Sequence, residues 1–262
     1  MRGRLLIIDH RTPRPDEDSG SASAFSYLTI LARAGFDVTF APNDLVDDGR
    51  YTTALQALGV ATLAAPDWTS IADVIAAHAP SADVVLLYRA PVAAGLFDLV
   101  RRAAPLTKIL FHPVDLHFMR MQRQATLHHD PDLMAQADAL RAVELGLFDK
   151  ADASIVVSAH EFELLHDLLP SAAIHRIPIL REAPLRAPRT GSRAGVVFIG
   201  GYDHTPNVDA VKWFVREVWP ILRSRGFAHR FIIAGSHVPM EIAAHAADDI
   251  EVRGYVEDLG AL

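Results

Sequence analysis

The stretch "RLLIIDHRTPRPDEDSGSASAFSYLTILARAGFDVTF", residues 4–40, decides the fold class. Its two apolar runs, LLII (5–8) and VTF (38–40), have the composition of strands that are buried on both faces. Between them we predict a helix from about Ser21 to Ala34, followed by Gly35 at a position that favours a helix C-terminal cap. A strand, a helix and a second strand in this order predict a parallel sheet covered by helices.

The loop after the first strand argues against a dinucleotide cofactor. It lacks the G-x-G-x-x-G fingerprint and contains a single glycine, Gly20. A pyrophosphate would also meet the carboxylates of this loop, which are Asp9, Asp16, Glu17 and Asp18. The sequence therefore argues against an NAD-dependent oxidoreductase, and the absence of G-x-S-x-G argues against a serine hydrolase.

The alternation of strands and helices continues along the first two-thirds of the chain. Further strands are predicted at VVLL (84–87), ILF (109–111), IVV (155–157) and IHRI (174–177), with a helix from about Asp132 to Phe148. This pattern predicts a doubly wound, Rossmann-like domain over residues 1–180. The segment 181–193, rich in arginine and proline, predicts a linker to a second domain at residues 194–262.

The second domain begins at "GVVFIGGYDHTPNVDAVKWF", residues 195–214, with a new strand and helix. Three strands are predicted in it, at residues 196–199, 231–234 and 251–252. Three strands are the first half of a Rossmann-like domain, which normally extends on both sides of its first strand. We therefore expect a bare edge on that first strand, covered either by chain that continues past Leu262 or by self-association.

Glycines follow each predicted strand of the second domain. Gly200 and Gly201 precede the helix that Thr205 is predicted to cap, where backbone N–H groups and the helix dipole favour an anion. Gly235 and Gly254 follow the next two strands, so the three strand ends predict a ligand groove along one edge of the sheet. The alternative is that the paired glycines only form a tight turn.

The composition predicts a soluble, cytoplasmic protein. The formal net charge of −7 over 262 residues argues against a nucleic-acid partner. No apolar run approaches the roughly 18–20 residues that span a bilayer, the N-terminus lacks a signal-peptide core, and the sequence has no cysteine. Close histidine groups, at His112 with His117 and at His128 with His129, lack zinc-site spacing, so we expect no metal.

Polar residues at the end of the ILF strand form a second candidate site. In "FHPVDLH", residues 111–117, the side chains of His112, Asp115 and His117 leave the carboxyl edge of the sheet. An imidazole there can hydrogen-bond a sugar hydroxyl, and a neighbouring carboxylate can orient it. The alternative is a loop histidine and an aspartate that caps the next helix.

Taken in order, five segments resemble the retaining glycosyltransferases of family 4, which have the two-domain GT-B fold. They are residues 9–40, "FHPVDLHFMR" (111–120), "ADASIVVSAHE" (151–161), "FIGGYDHTPNVDAVKWF" (198–214) and "VRGYVEDL" (252–259). The resemblance implies transfer of a sugar from a nucleotide-sugar donor to a saccharide or other hydroxyl acceptor, with retention of configuration. It implies that the second domain binds the donor, that the first binds the acceptor, and that no cofactor is needed.

The resemblance also implies roles for individual residues. His112 or Asp115 would lie near the reacting sugar, and Gly20 and Ser21 would place backbone near that sugar or the donor phosphates. Gly200 and Gly201 would contact the donor diphosphate, with His204 and Asn207 nearby. Gly235 and Ser236 would contact the nucleotide, and the backbone of Tyr255 and Val256 would contact the base.

Two departures from the family pattern keep other functions open. The sequence ends at Leu262, before the segment that carries the paired glutamates which contact the donor in this family, and His204 stands where many relatives have arginine or lysine. Without these groups, the negative charge of a departing diphosphate is less well stabilised. The alternatives are therefore a non-catalytic module that binds a saccharide or a partner, and a sugar-nucleotide epimerase of the same architecture.

Overall fold

The computed structural model of the chain describes residues 3–180 and 194–257. These residues divide into two compact units, one of residues 3–15 and 20–180, the other of residues 16–19 and 194–257. The predicted linker, 181–193, lies outside the described residues, so its character stays a prediction. No helix in the described ranges is long and apolar enough to cross a membrane.

The first unit is built on a seven-stranded parallel sheet. Its strands are β1 (Arg4–Asp9), β2 (Asp37–Pro42), β3 (Ala61–Thr62), β4 (Val84–Tyr88), β5 (Lys108–His112), β6 (Ala153–Val156) and β7 (Ile174–Arg176). Their order in the sheet is β3-β2-β1-β4-β5-β6-β7. The order reverses direction next to β1, as in doubly wound sheets, which bind ligands at the carboxyl ends of the strands around that point.

Helices of the first unit pack on both faces of this sheet. They are α1 (Ser19–Arg33), α2 (Arg50–Ala57), α3 (Ile71–His78), α4 (Ala90–Ala103), α5 (His117–His128), α6 (Pro131–Lys150) and α7 (Ala159–Leu168). Successive residues of a strand point to opposite faces, so Leu6 and Ile8 of β1 pack into one core layer while Ile7 packs into the other. Burial of β1 on both faces explains why its sequence is apolar without alternation.

The described part of the second unit contains a three-stranded parallel sheet. Its elements are β8 (Val196–Ile199), α8 (Thr205–Trp213), a π-helical turn (Phe214–Val218), α9 (Trp219–Ser224), β9 (Phe231–Ala234), α10 (Met240–Ala243) and β10 (Ile250–Gly254). The strand order is β10-β9-β8, so β8 is an edge strand within these residues. The predicted α/β class, with parallel Rossmann-like sheets, is confirmed.

Candidate functional site

Three neighbouring strands of the first unit bring polar residues together at their carboxyl ends. Asp9 ends β1, Tyr88 ends β4 and is followed by Arg89, and His112 ends β5. Tyr27 of α1 packs its ring edge-on against both Tyr88 and His112. The Arg89 N–H donates to the His112 carbonyl oxygen at 2.8 Å. We call these five residues the buried polar cluster.

Asp9 is the charged centre of the buried polar cluster and is 1 % exposed. One carboxylate oxygen, Oδ1, accepts from Arg89 Nε at 2.9 Å and from the His10 backbone N–H at 2.7 Å, and it lies 3.0 Å from His10 Nδ1. Burial raises the pKa of Asp9, but the hydrogen bonds from His10 and the charge of Arg89 outweigh it and the net pKa is lowered. Asp9 therefore stays ionised in the interior.

His112 is a neutral, buried imidazole rather than a loop histidine. Its ring stacks on Tyr88, with centroids 4.8 Å apart and an interplanar angle of 16°. The Val114 N–H donates to His112 Nδ1 at 3.0 Å, which places the ring proton on Nε2. Burial lowers the pKa of His112 from 6.5 to about 4. At neutral pH this side chain is therefore a hydrogen-bond donor through Nε2.

The buried polar cluster contains hydrogen-bonding atoms that have no partner among the described residues. They are Asp9 Oδ2, Tyr27 OH, Tyr88 OH, Arg89 Nη2 and His112 Nε2. A buried polar group without a partner costs about 1–3 kcal/mol, so such groups are rare in folded proteins. Arg89 of the cluster and Val114 beside it also have positive φ angles of 67° and 76°, which is unusual for side chains of this size. Unpaired polar atoms and backbone strain together are typical of a binding site.

Asp115 and His117, the other two predicted residues of this region, form a separate surface pair. Asp115 accepts from His117 Nε2 at 2.9 Å and from Arg120 Nη1 at 2.6 Å. The orientation of His112 is instead fixed by Val114 and by the stacked tyrosine. Leu116 takes the N-cap position of α5 that the alternative interpretation gave to Asp115.

Two buried glutamates from other helices hold the start of α5. Glu144 of α6 is fully buried, and its two oxygens accept from the His117 and Phe118 N–H groups, each at 3.2 Å. Glu161 of α7 accepts from the Leu116 N–H at 3.4 Å. Burial raises the pKa of Glu144, although the hydrogen bonds from Phe118 and His117 oppose that shift. These carboxylates position the turn that carries Asp115 and His117.

Gly20 and Ser21 lie in the first turn of α1 and are buried. Their predicted place next to a transferred sugar or donor phosphates stays a prediction. In residues 3–180 and 194–257, no group of three or more histidine, aspartate or glutamate side chains is placed to hold a metal ion.

In the second unit, the glycines after the strands allow close backbone packing. A Cβ on Gly235, whose φ is 149°, would lie 1.7 Å from the Gly200 carbonyl oxygen. A Cβ on Gly200 would lie 2.7 Å from Asn207 Nδ2, which donates to the Gly201 carbonyl oxygen at 2.8 Å. A Cβ on Gly201 would have no neighbour closer than 3.4 Å. The tight-turn interpretation therefore explains Gly200 and Gly235, where a side chain would clash. A side chain at Gly201 would not clash, so the turn itself does not require glycine there.

Helix α8 starts directly after this glycine turn and has no side-chain cap. Its N-cap residue is the exposed His204, and Thr205, which we predicted to be the cap, is the first helical residue. Pro206 contributes no N–H in the first turn. The positive end of the helix dipole at α8 is therefore not neutralised by a capping side chain.

The other predicted donor-side residues lie at the ends of β9 and β10. Ser236 follows Gly235, and its carbonyl oxygen accepts from the Tyr202 N–H at 3.0 Å. Tyr255 is half exposed directly after β10, and Val256 follows it with its side chain partly buried. All of these residues share the carboxyl edge of one parallel sheet with Gly200 and Gly201.

Sequence reasoning missed most of the buried polar cluster and both buried glutamates. Tyr88 and Arg89 directly follow the predicted VVLL strand, so their strand-end position was a usable signal. Tyr27 was masked by its place on the apolar face of a helix. Glu144 accepts a hydrogen bond from an N–H group 27 residues away, and Glu161 accepts one from an N–H group 45 residues away. No local sequence pattern indicates such pairs.

Comparison with known proteins matches the C-terminal part of the chain to a glycosyltransferase family. Residues 193–262 match the family described as Glycosyl transferases group 1, and this segment contains every predicted donor-side residue from Gly200 to Val256. No curated protein sequence matches the chain.

Solved structures of glycosyltransferases resemble the whole chain at low sequence identity. Sucrose-phosphate synthase from Thermosynechococcus elongatus is 12 % identical with a TM-score of 0.67, and the match covers 97 % of this chain and 71 % of that one. TarM is 8 % identical with a TM-score of 0.61, covering 98 % and 77 %. OtsA is 11 % identical with a TM-score of 0.50, covering 98 % and 74 %. At these identities the likeness establishes the fold, and the chain is a mixed α/β protein with the Rossmann-like domains of GT-B glycosyltransferases.

Proposed function

We propose that this protein is a glycosyltransferase that moves a sugar from a nucleotide-sugar donor to an acceptor hydroxyl with retention of configuration. The observation that carries the proposal is the match of residues 193–262 to Glycosyl transferases group 1. The likeness of the fold to GT-B enzymes supports it, although a fold alone does not decide a function.

The donor diphosphate would bind at the glycine turn of the second unit. The start of α8, which has no capping side chain, offers the positive end of a helix dipole, and Gly201 lets a ligand approach the backbone. Asn207 holds this turn through its bond to the Gly201 carbonyl oxygen, and His204 stands beside it. Gly235, Ser236 and the backbone at residues 255–256 would contact the nucleoside.

The acceptor would bind to the first unit, with His112, Asp115 and His117 as the predicted residues near the reacting sugar. In the transfer, the acceptor oxygen forms a bond to the anomeric carbon while the bond from that carbon to the diphosphate breaks. The diphosphate leaves with the electron pair, and the hydroxyl proton is released. Hydrogen-bond donors and dipoles aimed at the departing oxyanion lower the barrier for this step.

The test is to incubate the full protein with a panel of nucleotide-sugars and saccharide acceptors and to measure released nucleoside diphosphate and glycosylated product. We expect one donor to be consumed only when an acceptor is present, and NMR of the product to show the anomeric configuration of the donor. Inverted configuration would remove the retaining mechanism. If calorimetry shows no binding of any nucleoside diphosphate or nucleotide-sugar, the proposal is wrong.

The variant Gly201→Val tests whether the donor binds at the glycine turn. A larger side chain at the most open position of the turn should abolish donor binding while leaving the first unit folded. Unchanged donor affinity would place the diphosphate elsewhere.

An epimerase would instead convert the nucleotide-sugar to an isomer without an acceptor, and a non-catalytic module would bind a saccharide without consuming any donor.

A further inference from the structure

We propose that an open cavity at one edge of the first unit binds an organic cation, in the form of an ammonium group on an apolar body. The cavity has a volume of about 750 Å³ and lies between residues 43–47 and residues 65–71. We call it the edge cavity, because these segments follow β2 and β3 at one end of the strand order. Its volume is in the range of small-molecule sites. The proposed sugar transfer does not use it, so this inference goes beyond the proposed function.

The two segments that line the edge cavity are joined to each other and to the sheet. The Ala65 N–H donates to the Leu45 carbonyl oxygen at 2.8 Å, and the Leu45 N–H donates to the carbonyl oxygen of Pro42, the last residue of β2, at 3.0 Å. Leu45 is buried, and its φ of 54° lies in the left-handed region, which is unusual for leucine. A strained residue that packing and hydrogen bonds hold in place is typical of a functional site.

One part of the edge cavity is apolar and contains an aromatic ring. Val46, Pro66, Trp68 and Ile71 all line it. Trp68 packs against the same core layer as Leu6 and Ile8, and its ring meets the His78 ring edge-on with centroids 5.3 Å apart. These contacts orient the indole, while part of it remains accessible from the cavity. The face of an indole attracts cations more strongly than the faces of the other aromatic side chains do.

The charged side chains that line the edge cavity are both carboxylates. Asp44 and Asp47 are exposed there, and no lysine, arginine or histidine is among the lining residues. One oxygen of each carboxylate accepts a hydrogen bond at 3.1 Å, from the Val46 N–H in the case of Asp44 and from the Gly49 N–H in the case of Asp47. Within residues 3–180 and 194–257, neither carboxylate forms an ion pair. Their negative charge is therefore available to a ligand.

The charge and the surface of the edge cavity together select the class of ligand. Two carboxylates repel an anion, and a neutral apolar molecule would leave both of them without a partner. An ammonium group can donate to the oxygens of Asp44 and Asp47 and approach the Trp68 ring, while the hydrocarbon part of the same molecule contacts the apolar lining. A bare metal ion is less well matched, because two carboxylates provide fewer ligands than a cage for a hard cation requires.

The experiment compares three probes of similar shape and different charge, with calorimetry and NMR on the full protein. They are phenethylamine, phenethyl alcohol and hydrocinnamate, which present an ammonium, a hydroxyl and a carboxylate on the same aromatic body. We expect the amine to bind about tenfold more tightly than the alcohol, and hydrocinnamate to bind more weakly than both. Added salt should weaken binding of the amine and leave binding of the alcohol unchanged. The indole N–H resonance of Trp68 should shift on binding.

Variants locate the site. Asp44→Asn and Asp47→Asn each remove one charge but keep an oxygen that can accept from the backbone, so both should fold normally. Each should lower the affinity for phenethylamine about threefold and leave the affinity for phenethyl alcohol unchanged. Trp68→Leu should lower the affinity for the amine about threefold to fivefold.

Asp98→Asn is the matched control for the charge. It removes the same charge from an exposed position on α4, outside the edge cavity, and should leave the affinity for the amine unchanged. If Trp68→Leu does not fold, the two aspartate variants and the Trp68 resonance of the natural protein still decide the question.

Three results would overturn the proposal. They are no binding of phenethylamine, equal binding of the amine and the alcohol, and binding of the amine that Asp44→Asn and Asp47→Asn leave unchanged. The outcome is independent of the transfer assay. Binding of the amine without any donor consumption would uphold the edge cavity and defeat the proposed enzyme, whereas donor consumption without binding of the amine would do the reverse.

Discussion

The two units place their candidate residues at the same kind of position but with different chemistry. Both use the carboxyl edge of a parallel sheet. In the first unit that edge carries side chains from distant segments, and Arg89 is hydrogen-bonded to both Asp9 and His112. In the second unit the edge carries backbone, because Gly200 and Gly235 approach each other too closely for side chains.

This difference predicts opposite effects of substitution in the two units. Where backbone packing makes the site, adding an atom disrupts the fold. Where unpaired side-chain atoms make the site, removing an atom affects binding and pH dependence more than packing.

The largest effect is expected from Gly235→Ala in the second unit. The new Cβ would lie 1.7 Å from the Gly200 carbonyl oxygen, and φ is 149°, so the strand ends must separate. We expect a loss of about 3–5 kcal/mol in the unfolding free energy of this unit, measured by urea denaturation. Gly201→Ala is the control, since its nearest neighbours lie at ordinary contact distance, 3.4 Å or more. Equal stability of the two variants would show that the turn is not closely packed.

A smaller effect is expected in the first unit, whose stability should depend on pH because a buried side chain titrates. Burial lowers the pKa of His112 from 6.5 to about 4, so the unfolded chain binds a proton in this interval that the folded protein does not. The contribution of His112 to stability is complete above pH 6.5 and is lost as the pH falls towards 4, by roughly 3 kcal/mol in all. His112→Gln should flatten this slope in urea denaturation series. A His112 that titrates near 6.5 by NMR would contradict its burial against Tyr88.

The sequence predicted most of the strands because most of them are local apolar runs, whereas the two-residue strand β3 (Ala61–Thr62) was not predicted. LLII, VVLL and ILF all lie inside observed strands, which extend one or two residues further at their ends. The helix predicted from about Ser21 begins two residues earlier, at Ser19. Such boundaries depend on capping and tertiary packing, which the apolar pattern does not encode.

The sequence predicted the candidate residues of the second unit better than those of the first. The reason is that the second unit uses a contiguous turn, whereas the first uses side chains from distant segments. The glycine turn is contiguous in sequence, so Gly200, Gly201 and Asn207 could be selected together, although their contacts could not. The buried polar cluster joins residues up to about a hundred positions apart, and only His112 was selected. Pairing of side chains across strands depends on the strand order, which the sequence alone did not supply.

The smallest effect is expected at the start of α5, where side chains satisfy backbone groups. Glu144→Gln keeps the size of the side chain but replaces one of two acceptor oxygens with an N–H₂ group. One of the His117 and Phe118 N–H groups, now each bonded at 3.2 Å, would lose its partner. We expect a loss of about 1–2 kcal/mol in the unfolding free energy of the first unit.

Amide hydrogen exchange distinguishes this local effect from general destabilisation. In Glu144→Gln the His117 and Phe118 amides should exchange faster than the amides of β4, which lie in the centre of the sheet. The matched control is Glu163→Gln, an exposed glutamate of the neighbouring helix, which should change stability by less than about 0.5 kcal/mol. Uniformly faster exchange in Glu144→Gln would mean that this carboxylate supports the core rather than the turn. The α5 start would then resemble the second unit, where one added atom at Gly235 is expected to disturb the whole edge of the sheet.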